Sequence, residues 1–133
     1  MIFGIGTDIV EIGRIRGAVA RFGDRFPQRV LGARELERYR DRRSRSEQRG
    51  LKFLATRFAA KEAVSKALGL GMRWPMTWRA VEILNDPSGR PVAFVSSAEL
   101  RRFTERKRLR LHVSITDERE LAMAYAVAEV QGA

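Results

Sequence analysis

Residues 47–68 read EQRGLKFLATRFAAKEAVSKAL, the longest helical pattern in the chain. Apolar side chains such as Leu51 and Leu54 are spread around nearly the whole axis, so this helix is expected inside the fold rather than on its surface. Gly69 and Gly71 follow it as a C-terminal stop signal. The sequence therefore predicts one long central helix around which the other elements pack.

The segments on either side of this helix alternate between strand and helix patterns. We predict strands over residues 1–10, 77–84, 91–95, 109–115 and 121–130, with a turn at 85–89. Shorter helices are predicted over 11–22 and 33–42 and after the capping pair Ser96 and Ser97. Pro27 is expected to interrupt the chain between the first two, and the arginine-rich stretch 41–46 to be a solvated turn. No repeat or linker divides the chain, which favours one α+β domain over residues 1–133.

The composition is strongly basic and excludes several kinds of site. Lysine and arginine total 26 against 16 acidic residues, a net charge of +10, and most of the cations are arginine. Arginine suits phosphate and carboxylate, so the partner is expected to be a nucleic acid, a phosphorylated small molecule or an acidic protein. The absence of cysteine excludes disulfides, thiolate nucleophiles and zinc–thiolate sites. We predict a cytoplasmic protein without a membrane span.

Two carboxylates stand where apolar residues are expected. Asp8 interrupts the apolar run at residues 5–10, on the strand face of Gly4 and Gly6, and Glu62 lies on an apolar stripe of the long helix. An ionised carboxylate among apolar groups is costly unless it is paired or holds a metal. For each one alone, a nearby arginine is the simpler explanation. Together, two hard oxygen ligands without histidine or cysteine suit Mg²⁺, completed by water and substrate phosphates.

Cationic and hydroxyl side chains flank Glu62 on the helix. Arg57, Lys61 and Ser65 follow an i, i+4, i+8 line, and Lys66 stands one turn beyond Glu62. Such a group can hold a metal and bind the phosphate that bridges to it. The alternative is an ordinary ion pair of Glu62 and Lys66 on an exposed helix face, worth about 0.3 kcal/mol. The apolar surroundings of the helix argue against that alternative.

Four segments resemble the holo-acyl-carrier-protein synthases, a family of 4′-phosphopantetheinyl transferases. GIGTDIVE at residues 4–11 is similar to the N-terminal signature, and RFAAKEAVSKALG at 57–69 matches the second signature almost letter for letter. NDPSGRP at 85–91 resembles the family's hairpin turn, and HVSITD at 112–117 its C-terminal strand pair. The segments keep the family's order and spacing across nearly the whole chain. One departure is Asp117, which stands where many members have histidine.

The resemblance implies an enzyme that transfers 4′-phosphopantetheine from coenzyme A to a serine of an apo acyl carrier protein in fatty acid biosynthesis, leaving 3′,5′-ADP. It implies the fold of that family, a small and mainly antiparallel sheet packed on the long helix, in a single domain over residues 1–133. It also implies Mg²⁺ as the cofactor and a homotrimer with its sites between neighbouring subunits. Nucleic acid and membranes are not among the partners it implies.

The resemblance also assigns roles to individual residues. Asp8 and Glu62 are the expected Mg²⁺ ligands, and Lys66 is expected beside the transferring group. The proton of the acceptor serine is expected to pass to a metal-bound water, or through water to Glu62 or Asp117. His112 is a poor substitute base, since strand alternation places it on the opposite face from Asp117. The residues expected to bind coenzyme A are Arg57, Lys61, Ser65, Lys66, Gly89, Arg90, Pro91 and Ser114.

The arginine excess is expected to serve the acidic carrier protein. Arg14, Arg21 and Arg25 are separated by seven and four residues, so on one continuous helix they share a face. A merely solvated basic face is the alternative explanation. Two other functions are open at this point. One is a basic nucleic-acid-binding module, which the lack of an interleaved aromatic platform disfavours. The other is an inactive carrier-binding subunit, which the intact pair of Asp8 and Glu62 disfavours.

Overall fold

The computed structural model describes residues 1–132. The predicted α+β class is confirmed, and the strands predicted at 91–95 and 121–130 have the predicted bounds. In chain order the elements are β1 (Ile2–Glu11), α1 (Ile12–Phe22), α2 (Arg25–Val30), α3 (Ala33–Arg45), α4 (Glu47–Ala67), β2 (Val81–Asn85), β3 (Pro91–Val95), α5 (Ala98–Arg106), β4 (Leu109–Asp117) and β5 (Leu121–Val130).

α4 is the central helix that the sequence predicts. Ser46 caps its start, since the Ser46 side chain accepts a hydrogen bond from the backbone amide of Arg49. It ends where Gly69 takes a φ of 75°, a left-handed conformation that favours glycine. Most of its side chains are buried, and it packs on β1, β5 and α3. Neither α4 nor any other helix within residues 1–132 is both long and apolar enough to cross a membrane.

The strands β1, β5 and β4 form an antiparallel sheet in that order, and its inner face lies on α4. β5 turns alternate, buried alanines of residues 122–128 toward the helix. Gly4 and Gly6 bring β1 closer still. A Cβ on Gly6 would lie 2.0 Å from the carbonyl oxygen of Ala63, and one on Gly4 would lie 2.1 Å from that of Ala67. Strand and helix therefore touch backbone to backbone, which only glycine allows.

The hairpin differs from its prediction in length and pairing. Its first strand begins at Val81 rather than at residue 77, because the backbone turns at Thr77, whose carbonyl accepts from the amide of Ala80. β2 and β3 pair only with each other and form a second, two-stranded sheet. The hairpin therefore lies beside the main sheet instead of extending it.

Two helical segments also differ from the prediction. α3 continues to Arg45, because arginine is a good helix former and the stretch 41–46 contains no glycine or proline. Pro27, which was expected to interrupt, lies inside α2. It is tolerated there because proline lacks an amide hydrogen and the amides of a helix's first turn have no intrahelical partner.

The outer face of the three-stranded sheet exposes large apolar side chains. Ile5 is 68% exposed, Ile9 52% and Tyr125 55%. The strand register places Thr7 opposite Tyr125 and Ile9 opposite Met123, so these side chains form one continuous surface. Exposed apolar surfaces of this kind are typical of interaction faces.

Candidate active site

Asp8 and Glu62 lie together, from two different elements. Asp8 is on the inner face of β1, two residues beyond Gly6, and the close approach of β1 to α4 brings the two carboxylates near each other. The ammonium of Lys66 donates to the carbonyl oxygen of Thr7 at 2.8 Å and lies 3.4 Å from Oδ1 of Asp8. Lys66 therefore contacts Asp8 on β1, so its role is not limited to an ion pair with Glu62 along α4.

The electrostatics of the two carboxylates favour a bound cation. Burial raises the pKa of Glu62 above its ordinary value, the negative charge of Asp8 raises it further, and Lys66 lowers it. Within residues 1–132, no cluster of three or more histidine, cysteine, aspartate or glutamate side chains could enclose a metal alone. Two carboxylates with open positions fit Mg²⁺, which keeps waters and takes phosphate oxygens. The donor set therefore fits the predicted cofactor.

Lys61 does not belong to this site, which corrects its assignment to coenzyme A. Its side chain is fully buried, and its ammonium donates to the carbonyl oxygens of Val30 at 2.6 Å and Trp78 at 2.8 Å and to Oε1 of Glu35 at 2.5 Å. These bonds use all three donors. Burial lowers the pKa of Lys61, and Glu35 opposes that shift. No donor is left for a phosphate, so Lys61 ties together α4, α3 and the segment before β2.

Ser65 is also buried, which corrects its assignment to coenzyme A. Its hydroxyl donates to the carbonyl oxygen of Glu62 at 2.6 Å, within the same turn of α4. Its own carbonyl accepts from the amides of Leu70 and Gly71, each at 3.1 Å, and closes the end of the helix. Ser65 therefore fixes the backbone around Glu62 and does not reach a ligand.

A basic cavity of about 620 Å³ lies beside the first half of α4, between α3, the β2–β3 turn and the end of β4. Its charged lining contains more cations than carboxylates, and the carboxylates are Asp41 and Asp117. The cations are Arg38, Arg42, Arg45, Arg49, Lys52 and Arg57. Such an excess of arginine suits the phosphates of a nucleotide. This space is the arginine cavity.

Arg57 is the buried anchor of the arginine cavity. Its Nε donates to the carbonyl oxygen of Ile83 at 2.9 Å, its Nη1 to the hydroxyl of Thr56 at 3.2 Å, and its Nη2 to Oδ1 of Asn85 at 2.5 Å. Burial lowers the pKa of Arg57 to about 10, which leaves it cationic at neutral pH. Arg57 therefore supplies a fixed positive charge and attaches α4 to the hairpin.

The β2–β3 turn forms one rim of the arginine cavity. Oδ1 of Asp86 accepts from the amide of Arg90 at 3.1 Å, and Gly89 takes a φ of 92°, which favours glycine. Gly89 and Pro91 line the cavity, and Arg90 is exposed on the turn between them. The predicted turn residues and the predicted Arg57 are therefore brought together.

Asp117 and Ser114 lie on opposite faces of β4. Asp117 lines the arginine cavity, with Oδ1 3.8 Å from the ammonium of Lys52. Ser114 is exposed on the outer face of the sheet, and His112 shares that face, as strand alternation predicts. Within one protomer, Ser114 therefore does not reach the cavity where the other predicted coenzyme A residues lie.

The carboxylates and the arginine cavity lie on opposite sides of α4. Arg49, Phe53 and Arg57 follow one another at i, i+4 and i+8 and face the cavity. Glu62 comes nine residues after Phe53, which at 3.6 residues per turn is a rotation of about half a turn. The helix therefore separates a ligand in the cavity from Glu62 of the same protomer.

An aromatic groove of about 450 Å³ lies on the Glu62 side of α4 and is not predicted by the sequence analysis. Phe58 stacks on Trp78 with ring centroids 4.7 Å apart, and the ring of Phe26 lies 6.2 Å from that of Phe58. Phe58 is one turn before Glu62, so this wall of the groove and the carboxylate lie on the same side of α4. Its main lining residues are Phe22, Arg25, Phe26, Arg29, Phe58 and Trp78.

The basic face predicted for α1 ends before Arg25. Arg14 and Arg21 are exposed on α1, but this helix ends at Phe22, and Gly23 takes a φ of 63°. Arg25 begins α2 and lines the aromatic groove. The prediction of one continuous helical face is therefore wrong for Arg25, because the glycine redirects the chain.

Residues 4–126 match the family model of the 4′-phosphopantetheinyl transferase superfamily. The chain belongs to this superfamily. It is 56% identical over 133 residues to a holo-[acyl-carrier-protein] synthase of Cupriavidus taiwanensis, covering 100% of this chain and 94% of that protein. It is 58% identical over 130 residues to the synthase of Ralstonia nicotianae, covering 98% of this chain and 94% of that protein.

Solved structures of superfamily members share the fold. The holo-[acyl-carrier-protein] synthase of Neisseria meningitidis gives a TM-score of 0.88 at 37% identity, over 97% of this chain and 99% of that one. The Bacillus anthracis synthase, in complex with CoA (3′,5′-ADP), gives 0.82 at 34% identity, over 98% and 99%. The Helicobacter pylori synthase, in complex with coenzyme A, gives 0.78 at 30% identity, over 94% and 99%. These likenesses confirm the predicted family and fold and give no support to the nucleic-acid-binding alternative.

In this phosphopantetheinyl transferase the arginine-rich stretch is part of a candidate site rather than a solvated turn. Arg38, Arg42, Arg45 and Arg49 all line the arginine cavity. Arg38, Arg42 and Arg45 are spaced by four and three residues and share one face of α3, a periodicity that the sequence already shows, whereas Arg49 reaches the cavity from α4. A similar spacing in the sequence points to the aromatic groove: Phe58 lies four residues before Glu62 and therefore on the same face of α4.

Proposed function

We propose that this chain transfers the 4′-phosphopantetheine group of coenzyme A to a serine of an apo acyl carrier protein and releases 3′,5′-ADP. The observation that carries the proposal is the meeting of Asp8, Glu62 and Lys66 at the contact of β1 with α4. Relatives named holo-[acyl-carrier-protein] synthase support the reaction, and neighbours solved with coenzyme A support the donor. Fatty acid biosynthesis is the proposed pathway, and the cytoplasm is the proposed location.

The arginine cavity is the proposed site for the nucleotide end of coenzyme A. Arg57 and the exposed arginines of α3 offer planar N–H donors for the 3′-phosphate. Gly89 and Pro91 leave the backbone of the turn open to the adenosine, with Arg90 beside it. A cavity with this much positive charge would attract coenzyme A before the reactive pyrophosphate is in place.

Positioning and charge neutralisation supply most of the rate enhancement in a phosphoryl transfer. The serine Oγ forms a bond to phosphorus while the bond from phosphorus to the oxygen of 3′,5′-ADP breaks. Lys66 is proposed to bind the pyrophosphate from its position beside Asp8, which neutralises the charge that develops on the leaving group. Asp8 and Glu62 would hold Mg²⁺, which would supply further neutralisation of the pyrophosphate charge.

Glu62 is the proposed acceptor of the serine proton, through one water molecule. In the metal-free protein, burial and the charge of Asp8 raise its pKa, and a water beside this carboxylate would carry the proton away from the serine. Asp117 is the other candidate, and it would act from a neighbouring subunit, because in its own subunit it lies on the cavity side of α4. Asp117→Asn separates the two candidates. Loss of the acidic limb of the pH–rate profile in this variant would assign the proton to Asp117.

Each active site is proposed to lie between two subunits of a homotrimer. The position of Glu62 and the arginine cavity on opposite sides of α4 supports this arrangement, because groups that face apart in one protomer can face each other across a subunit contact. The exposed apolar face around Ile9 and Tyr125 offers the surface for association. Ser114 lies on that same face, so its predicted contact with coenzyme A also requires a neighbouring subunit.

The acyl carrier protein is proposed to dock on Arg14 and Arg21 and in the aromatic groove beside Arg25. Exposed arginines attract an acidic partner and orient it. The groove can receive apolar side chains of the carrier, and its wall at Phe58 leads within one turn to Glu62. A carrier segment in this groove would therefore present its serine next to the carboxylates.

The intact mass of an apo acyl carrier protein, incubated with this chain, coenzyme A and Mg²⁺, tests the proposed function. A mass increase equal to one phosphopantetheine group is expected, and it should require all three components. A carrier whose acceptor serine is replaced by alanine is the matched control and should keep its mass. An unchanged mass of the unmodified carrier at saturating coenzyme A and Mg²⁺ would contradict the proposal.

A further inference from the structure

The segment between α4 and β2 holds a tryptophan in solvent on a well-anchored backbone. Trp74 is 73% exposed, although Met76, two residues later, is fully buried. The amide of Met76 donates to the carbonyl oxygen of Arg73 at 2.8 Å, and the carbonyl of Trp78 accepts from the buried ammonium of Lys61 at 2.8 Å. The exposure of the indole is therefore built into the fold and is not the result of a loose loop.

Trp74 forms a wall of a second hollow, of about 430 Å³, that continues the aromatic groove. Met72, Trp74 and Arg79 line this hollow, and it shares Arg29 and Trp78 with the groove. Its charged lining residues are both arginines. Groove and hollow therefore form one surface on the Glu62 side of α4, with aromatic walls and positive charge.

We propose that Trp74 and Arg79 form a second contact for the acyl carrier protein, continuous with the groove that receives its serine-bearing segment. This inference rests on the proposed function and extends its docking surface. Tryptophan and arginine are the residue types that most often carry the binding energy of an interface. A rigid indole loses little conformational entropy on binding, and Arg29 and Arg79 complement an acidic partner.

Other occupants fit the hollow less well. The phosphates of coenzyme A are proposed to bind in the arginine cavity, and none of the cations of that cavity lines the hollow. A second copy of this chain is basic, with a net charge of +10, and would bring like charge toward Arg29 and Arg79. The apolar surface proposed for subunit contacts is the outer face of the sheet, and none of the residues named for the hollow lies there. An acidic protein already held in the adjoining groove is the occupant that charge and continuity favour.

The dissociation constant of the wild-type complex with apo carrier protein, measured without coenzyme A or Mg²⁺, is the primary test, because it requires no catalysis. Trp74→Ala and Arg79→Glu are each expected to weaken carrier binding about tenfold, the loss typical of an interface anchor. The Michaelis constant for the carrier should rise in parallel, while that for coenzyme A and the oligomeric state stay unchanged. Matched controls are Phe94→Ala, another exposed aromatic, and Arg102→Glu, the same charge reversal on α5.

Three outcomes would overturn the inference. In the first, Trp74→Ala and Arg79→Glu both bind the carrier as tightly as the wild type, while Arg14→Glu binds it more weakly. The docking surface would then stop at the groove, and the proposed function would stand. A raised Michaelis constant for coenzyme A in Trp74→Ala would assign the loop to the donor site. A changed oligomeric state would assign it to a subunit contact.

Discussion

The ammonium of Lys66 lies 3.4 Å from Oδ1 of Asp8, so a cation of α4 and a carboxylate of β1 meet across the contact between helix and strand. The contact depends on Gly6, since a Cβ there would lie 2.0 Å from the carbonyl oxygen of Ala63. A larger residue would push β1 away from α4 and carry Asp8 with it. The geometry of the charged groups is therefore set by residues that have no side chain.

Asp8→Ala and Glu62→Ala are expected to abolish transfer while the fold is retained. Each variant removes one of the two carboxylates proposed to hold Mg²⁺ and leaves the apolar packing of β1 on α4 in place. Turnover measured against Mg²⁺ concentration is the test, with circular dichroism as the check on folding. Turnover like that of the wild type at low Mg²⁺ in both variants would contradict the metal assignment.

Glu62→Gln is expected to stabilise the Mg²⁺-free protein at neutral pH and not at acidic pH. The pKa of Glu62 is raised in the folded state, so stability is fully present below the unfolded pKa of about 4.3 and is lost as the pH rises through the folded pKa. Glutamine does not ionise, so the variant does not lose this stability as the pH rises. Because Glu62 is only half-buried and water screens it, the expected gain in Tm at pH 7 is small.

Thermal unfolding between pH 4 and pH 8 measures this difference. Added Mg²⁺ should raise the Tm of the wild-type protein more than that of Glu62→Gln, since a ligand stabilises the state that binds it. A difference in Tm that is equal at all pH values would show that the substitution acts through packing instead of charge.

The positive charges are expected to divide between the two substrates. Reversal of Arg14 and Arg21 to glutamate should raise the Michaelis constant for the carrier about tenfold and flatten its salt dependence, because exposed charges are screened over a Debye length near 8 Å. The Michaelis constant for coenzyme A should hardly change. Lys66→Ala should show the reverse pattern or lose turnover.

Steady-state kinetics at two salt concentrations distinguishes these patterns. Arg102→Glu on α5 is the control for a change in total charge and should leave both Michaelis constants unchanged. Equal weakening of coenzyme A and carrier by the reversals on α1 would place Arg14 and Arg21 in the donor site.

The protein is expected to sediment as a trimer of its 15.1 kDa chain at micromolar concentration. Ile9→Glu should dissociate it, because this side chain lies in the exposed apolar face and a buried charge there would be unpaired. If the active site lies between subunits, dissociation of the trimer by this substitution should also abolish transfer. A wild-type protein that sediments only as a 15.1 kDa species would contradict the assembly.

Lys61→Met is expected to destabilise the protein by about 3–5 kcal/mol, because it leaves the buried carboxylate of Glu35 without its cation. Adding Glu35→Gln to this variant should recover part of the lost stability. Urea unfolding measures both variants. A Lys61→Met protein that is as stable as the wild type but binds coenzyme A weakly would reinstate the phosphate role predicted for Lys61 from the sequence.

Local patterns predicted the long helix and the carboxylate pair, because periodicity and a misplaced charge are visible within a few residues. The role of Lys61 could not be predicted in this way. Its partner Glu35 lies on another helix, 26 residues away, and a lysine one residue before Glu62 has the same spacing pattern whether it is buried or exposed. The change of chain direction before Arg25 depends on the positive φ of Gly23, and the residue type alone does not specify that conformation.

The position of Glu62 and the arginine cavity on opposite sides of α4 leads to a genetic consequence. A chain with Glu62→Gln and a chain with Arg45→Glu and Arg49→Glu should each form inactive homotrimers. In a mixed trimer, one contact joins an intact Glu62 from one chain to an intact cavity from the other. Co-expression of two dead alleles should therefore restore transfer, whereas the stable homotrimers should stay inactive when they are mixed until their subunits exchange. Such complementation is expected when no single polypeptide contains a whole active site.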